Sequence, residues 1–177
     1  MAPGHGRVLV FEAGGVAGLI IVSAMLPVMF HILPYTGSVP VGARFLPIFY
    51  APLLGILLLR PRDGIIAGAL SPVLNHLVTG RPDVPMTVTL SLDMLLFTSL
   101  VSLSVIKQKA SPLLTPLLYI LAKFISSYIF LPQDNFTGIS GNLDIFITSL
   151  RLSLPGIFML FVLHSVVLIQ RKKGLIP

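Results

Sequence analysis

Apolar blocks follow one another along almost the whole chain, and basic residues collect in every second gap between them. Of the 12 Lys and Arg, eight stand in four places: Arg7; Arg60 and Arg62; Lys107 and Lys109; Arg171, Lys172 and Lys173. The alternate gaps hold only Arg44 and Arg81, while Lys123 and Arg151 lie inside apolar blocks. A basic excess at every second connection is the positive-inside pattern of a polytopic membrane protein. It predicts an even number of crossings with both termini in the cytoplasm. It also puts two cations within the membrane, where a charge needs a partner.

Composition points the same way. The chain is 55% hydrophobic and 10% charged, with a mean hydropathy of +0.97, whereas a soluble domain carries about 25% charged residues. The 177 residues suit a single domain. The net charge of +6 reflects cytoplasmic Lys and Arg lying near anionic lipid headgroups. No basic stripe is interleaved with aromatics, so nucleic acid is not an expected partner. With no Cys, disulfides and thiolate chemistry are excluded. The first apolar block exceeds a signal-peptide core of roughly 7–15 residues and lacks an A-x-A site, which predicts a retained helix.

Six blocks can be delimited, at residues 8–33, 45–59, 64–78, 88–106, 113–131 and 145–169. A spanning helix needs about 20 residues. Blocks one, four, five and six meet that length. Blocks two and three are short and carry Pro47, Pro52 and Pro72. A re-entrant hairpin for this pair would bury Arg60, Arg62 and Asp63, at about 2.5–3.5 kcal/mol for each charge at mid-membrane. Six spanning helices, with helices two and three short or proline-interrupted, are therefore expected. The outer connections, 34–44, 79–87 and 132–144, are rich in Gly, Pro, Asn and Asp and read as turns.

The central stretch carries an ordered set of phrases. Phe45-Leu-Pro-Ile-Phe-Tyr-Ala-Pro-Leu-Leu-Gly55 is followed by Pro61-Arg-Asp-Gly64, Gly68-Ala-Leu-Ser-Pro72, Thr79-Gly-Arg-Pro82 and Pro85-Met86. The set resembles the substrate-binding S component of energy-coupling factor (ECF) vitamin transporters. Phe30-His31 before it, Asp93 in helix four, and Leu154-Pro-Gly-Ile157 in helix six extend the resemblance. Phe49 and Tyr50 stand where many members carry a His, and Lys123 where Arg is common. The resemblance implies a six-helix subunit of the bacterial plasma membrane that captures a vitamin-like small molecule from outside. It implies as partners a transmembrane coupling subunit and two cytosolic ATPase subunits. This chain has no G-x-x-x-x-G-K-[ST] loop of its own. An A-x-x-x-A face on helix one docks the coupling subunit in such proteins, and Ala13 and Ala17 match it. Close packing within the bundle is the competing reading of those small residues.

Three charges fall at similar depth. Counted from the outer ends of blocks four, five and six, Asp93, Lys123 and Arg151 lie roughly 8–12 Å below the surface. Buried ionisable groups face the bundle interior and pair. Two cations against one anion leave a surplus that a ligand carboxylate can neutralise, with Arg151 suited to bidentate contact and Lys123 to a point charge. The alternative is a structural Asp93–Arg151 bridge with Lys123 snorkelling outward. Asn75, His76, Arg81, Tyr35 and His31 cluster at the outer connections and are candidate hydrogen-bonding groups for a polar ligand, or helix caps and loop anchors. Two His without Asp, Glu or Cys nearby give little basis for a metal, and no cofactor is expected.

Gly138-Ile-Ser-Gly141 matches a rhomboid-protease phrase, but His164 would lie about 28 Å deeper than Ser140, beyond the reach of a nucleophile–base pair. No catalytic set is expected. The chain thus reads as an all-α capture subunit for an anionic or zwitterionic vitamin. A membrane scaffold of the rod-shape protein MreD type, which needs no mid-depth charges, is the alternative.

Overall fold

Proline and glycine set most of the helix boundaries. In the computed structural model, which describes residues 5–32, 41–107, 111–129 and 138–175, every regular element is helical. The α-helices are α1 (His5–Ile32), α2 (Val41–Phe45), α3 (Tyr50–Leu58), α4 (Pro61–Thr79), α5 (Val84–Ile106), α6 (Leu114–Ile129), α7 (Gly138–Leu152) and α8 (Leu154–Lys172). Pro61 opens α4 directly after an extended Arg60, and Gly80 closes it at φ 69°, a conformation that an L side chain resists. Asp83 then caps α5, accepting from the Met86 amide at 3.0 Å, with Pro85 in the first turn. Pro27 and Pro72 lie inside α1 and α4 without ending them.

The second apolar block is not one helix. The chain breaks at Leu46, which takes φ 55° immediately before Pro47. A residue preceding proline is driven out of the right-handed helical region. A 3-10 turn at Pro47–Phe49 leads into α3. Tyr50, Ala51, Pro52, Leu53, Gly55, Ile56 and Leu57 of α3 are all buried, so α3 is enclosed on every side, as an all-round apolar helix should be. It packs against α1, α4, α5 and α8. At nine residues it is about 14 Å long, too short to span about 30 Å of hydrocarbon by itself.

Block six also divides. Ser153 separates α7 from α8, two residues before Pro155. Proline removes the amide that would reach the carbonyl four residues back, that of Arg151. The connection expected as turns at 132–144 is helical from Gly138 onward. Ile139, Leu143, Phe146 and Leu150 recur at helical spacing and outweigh the two glycines.

The core joins Phe49, Leu53, Ile56, Leu57, Met94, Phe97, Val101, Tyr119 and Leu160. Large apolar side chains also point outward, among them Leu77, Leu117 and Phe158. Val84–Ile106 and Leu154–Lys172 are each long and apolar enough to cross a membrane, while Gly15–Phe30, Pro47–Leu58 and Leu114–Tyr128 are apolar but shorter.

Candidate functional site

The inward stripe of α6 is Thr115, Tyr119, Ala122 and Ser126, spaced by three or four residues so that they share one face. Three of the four carry a hydroxyl. At the C-terminal end of this stripe Lys123 Nζ donates to Asp93 Oδ2 at 2.7 Å, and the Ser126 hydroxyl donates to Asp93 Oδ1. Each carboxylate oxygen therefore has its own donor. The side chain of Asp93 is 3% exposed and that of Lys123 is 21% exposed, so the anion is sealed and the cation is the reachable member. One turn from the pair on each helix stand Phe97 and Tyr119. With Phe49 they form an edge-to-face trio, with ring centroids 5.2–6.2 Å apart. The charged pair thus rests on an aromatic floor. Such a pair is held together by geometry and hydrogen bonds, because desolvation offsets much of the Coulomb attraction.

Arg151 is not part of this arrangement. It occupies the penultimate position of α7 and is exposed, and among the described residues it has neither an ion pair nor a hydrogen bond. The Asp93–Arg151 bridge is replaced by an Asp93–Lys123 bridge, and Lys123 does not snorkel away. The cause is the break at Ser153: Arg151 belongs to a helix packed on α6 and α8, with Phe146 against Phe124, and not to the first turns of α8. The depths change too. Because Asp83 and Pro85 start α5 early, Asp93 lies nine residues in, about 14 Å along the helix.

The outer candidates separate into two roles. His76 Nδ1 lies 2.6 Å from the Pro82 carbonyl, and Thr79 Oγ1 lies 2.7 and 2.8 Å from the carbonyls of Asn75 and Arg81, within reach of either for its one hydrogen. His76 thereby holds the α4–α5 turn, which contains a cis Arg81–Pro82 bond. Arg81 itself is exposed. Asn75 is different: it is 6% exposed, and its side-chain amide has no hydrogen bond among the described residues. It remains a group able to bind a polar ligand. Tyr35 lies outside the described residues. His31 and Ala13 belong to α1, with side chains outside the described set. Ala17 and Gly18 are exposed, and nothing lies within 4 Å of a Cβ built on Gly18.

Two partners of this polar system are not apparent from sequence. Ser126 contacts Asp93 directly, and its signal is its place three residues after Lys123 on α6. Further along the stripe Thr115 Oγ1 lies 2.6 Å from His164 Nδ1, while His164 Nε2 is buried with no partner. His164 serves the α6–α8 contact. Arg171, two turns on, donates to the Leu57 carbonyl at 2.5 Å and ties α8 to the end of α3. Among the described residues no three His, Asp or Glu converge as a metal site. No family model, no curated protein and no solved structure matches this chain.

Proposed function

We propose that this chain is a membrane-embedded capture subunit of the ECF S-component kind. In this reading α1, α3, α4, α5, α6 and α8 form the six-helix body, both termini are cytoplasmic, and a vitamin-like small molecule enters from the outer side. A transmembrane coupling subunit and two cytosolic ATPases drive its uptake. The observation that carries the reading is the Asp93–Lys123–Ser126 centre, a charged and reachable group held inside a helical bundle whose outward faces are apolar. Intramembrane ionisable groups are rare, pair with one another and mark substrate or ion pathways. Lys123 offers spare donors to an anionic or zwitterionic ligand, and the unpaired Asn75 amide offers both a donor and an acceptor.

The test is co-expression with a bacterial coupling subunit and its two ATPases in cells that lack vitamin importers. Uptake that depends on this chain, with a small molecule seen by native mass spectrometry on the purified subunit, is the expected result. No uptake of any vitamin, and no bound molecule, would reject the reading. One observation favours a scaffold of the MreD type: Asp93 and Lys123 satisfy one another, and Ser126 completes the carboxylate, as a purely structural pair requires. Partners recovered from membranes distinguish the two, an ATPase-linked subunit in one case and cell-wall assembly proteins in the other.

A further inference from the structure

The Asp93–Lys123 pair carries no net charge, so an anion that binds there meets a neutral site. Asp93 is sealed, at 3% side-chain exposure, against 21% for Lys123. Of the two side chains, that of Lys123 is therefore the one an incoming carboxylate meets first. If it binds while Asp93 keeps its charge, two carboxylates share one ammonium in a low-dielectric site, and one negative charge is uncompensated. Two carboxylates held that close retain a proton between them.

The groups around Asp93 limit where a compensating charge can come from. From α6 it is faced by Lys123, Ser126 and Tyr119. The one titratable residue of α3 is Tyr50, whose hydroxyl is committed to the Phe45 carbonyl. On α4 the titratable and charged residues are Arg62 and Asp63 in the first turn and His76 in the last, the latter held at Pro82. None of these supplies a second cation to the pair.

We propose that an anionic ligand binds here by proton-linked exchange: its carboxylate replaces Asp93 on Lys123, and one proton enters with it and resides on Asp93. The balance is simple. The hydrogen bond from Nζ to Asp93 Oδ2 breaks, an O–H bond forms at Oδ2, and Nζ donates instead to the ligand oxygen. The new Asp93 hydroxyl can donate to that same ligand carboxylate, while Ser126 continues to hold Oδ1. Lys123 is the binding group, and Asp93 is a positioning residue that sets the proton count. The site is neutral before and after. The inference rests on the capture reading only in requiring that small anions reach Lys123.

Acetate is a suitable probe, because it carries the reacting group and no vitamin specificity. The full-length protein in detergent is titrated with sodium acetate, with sodium chloride as the control, from about pH 8 to about pH 6, where acetate stays ionised. The expected result is saturable binding, absent with chloride, that tightens about tenfold for each unit fall in pH, as one bound proton requires. An infrared difference spectrum should show the carbonyl band of a newly protonated carboxyl group. Lys123→Met should abolish acetate binding, and Asp93→Asn should abolish the band and the pH dependence. Should Asp93→Asn not fold, Ser126→Ala keeps the pair and should shift the band by removing the bond to Oδ1. Acetate no tighter than chloride, binding that persists in Lys123→Met, or pH-independent binding without the band would each overturn the exchange. Vitamin uptake assays are separate: their failure leaves a positive acetate result intact, and their success does not rescue a negative one.

Discussion

Removing one member of the Asp93–Lys123 pair strands the other charge in the bundle, whereas removing both leaves a gap that apolar side chains can fill. Breaking a buried pair from one side costs about 3–5 kcal/mol, while replacing both partners is often neutral. Asp93→Leu and Lys123→Met should therefore each lower the unfolding temperature sharply, and the double variant should recover most of the loss. A double variant as unstable as the sum of the singles would show that the two residues do not act as a pair. Thr115→Val takes the single hydrogen bond from His164 and should cost about 1–3 kcal/mol, the penalty for a stranded buried polar group, read by the same unfolding measurement. At Arg151 the expectation is the reverse of the charge count read from sequence. The side chain is exposed, so Arg151→Gln should leave ligand or acetate affinity unchanged in calorimetry.

Between helices, α4 approaches the backbone of α3 closely at Gly64. A Cβ on Gly64 would lie 2.6 Å from the Pro52 carbonyl oxygen and 2.8 Å from the Ile56 amide. Both are backbone atoms and cannot turn aside, so Gly64→Ala should push the helices apart at about 1–3 kcal/mol. Gly18, with open space around it, makes the contrasting case. Gly18→Ala should be neutral or stabilising by up to about 1 kcal/mol from helix propensity. If Ala17 belongs to a docking face, Ala17→Leu should leave the isolated subunit folded and block its association with the coupling subunit in pull-downs. A residue already exposed has no internal packing to lose, so unfolding of Ala17→Leu would argue for an internal contact instead.

For the molecule as a whole, topology is the quantity to measure. Basic residues stand at Arg60 and Arg62 between α3 and α4, at Lys107 after α5, and at Arg171 to Lys173 at the end of α8. Reporter fusions after residues 60 and 108 should report cytoplasm, and a fusion after residue 138 the outside. An outside signal at 60 would place the end of α3 and the start of α4 on the other face of the membrane. It would reverse the reading of Arg171, whose bond to Leu57 places it beside that same connection.

The chain's helical character and the positions of most helix ends were legible in its residues, because they depend on local rules: apolar runs, prolines in first turns, a glycine closing α4. Asp93 and Lys123 could be singled out as well, since a charge inside an apolar block is visible without coordinates. Their pairing could not. Asp93 had two cations within counting distance, and the choice between Lys123 and Arg151 was made by a break at Ser153 that sequence left ambiguous, because a proline inside a helical pattern can either kink a helix or end it. Pro27 and Pro72 lie within continuous helices, whereas Pro155 stands just beyond a boundary and Pro47 follows one. The enclosed position of α3 was likewise hidden, since an apolar run reads the same whether it faces lipid or other helices. Sequence by itself determined which segments are apolar and where charge interrupts them, because hydrophobicity and local backbone preference are properties of the residues. Only the tertiary structure decided which charges meet, because that depends on helix rotation and breaks, which are set by packing between segments far apart in the chain.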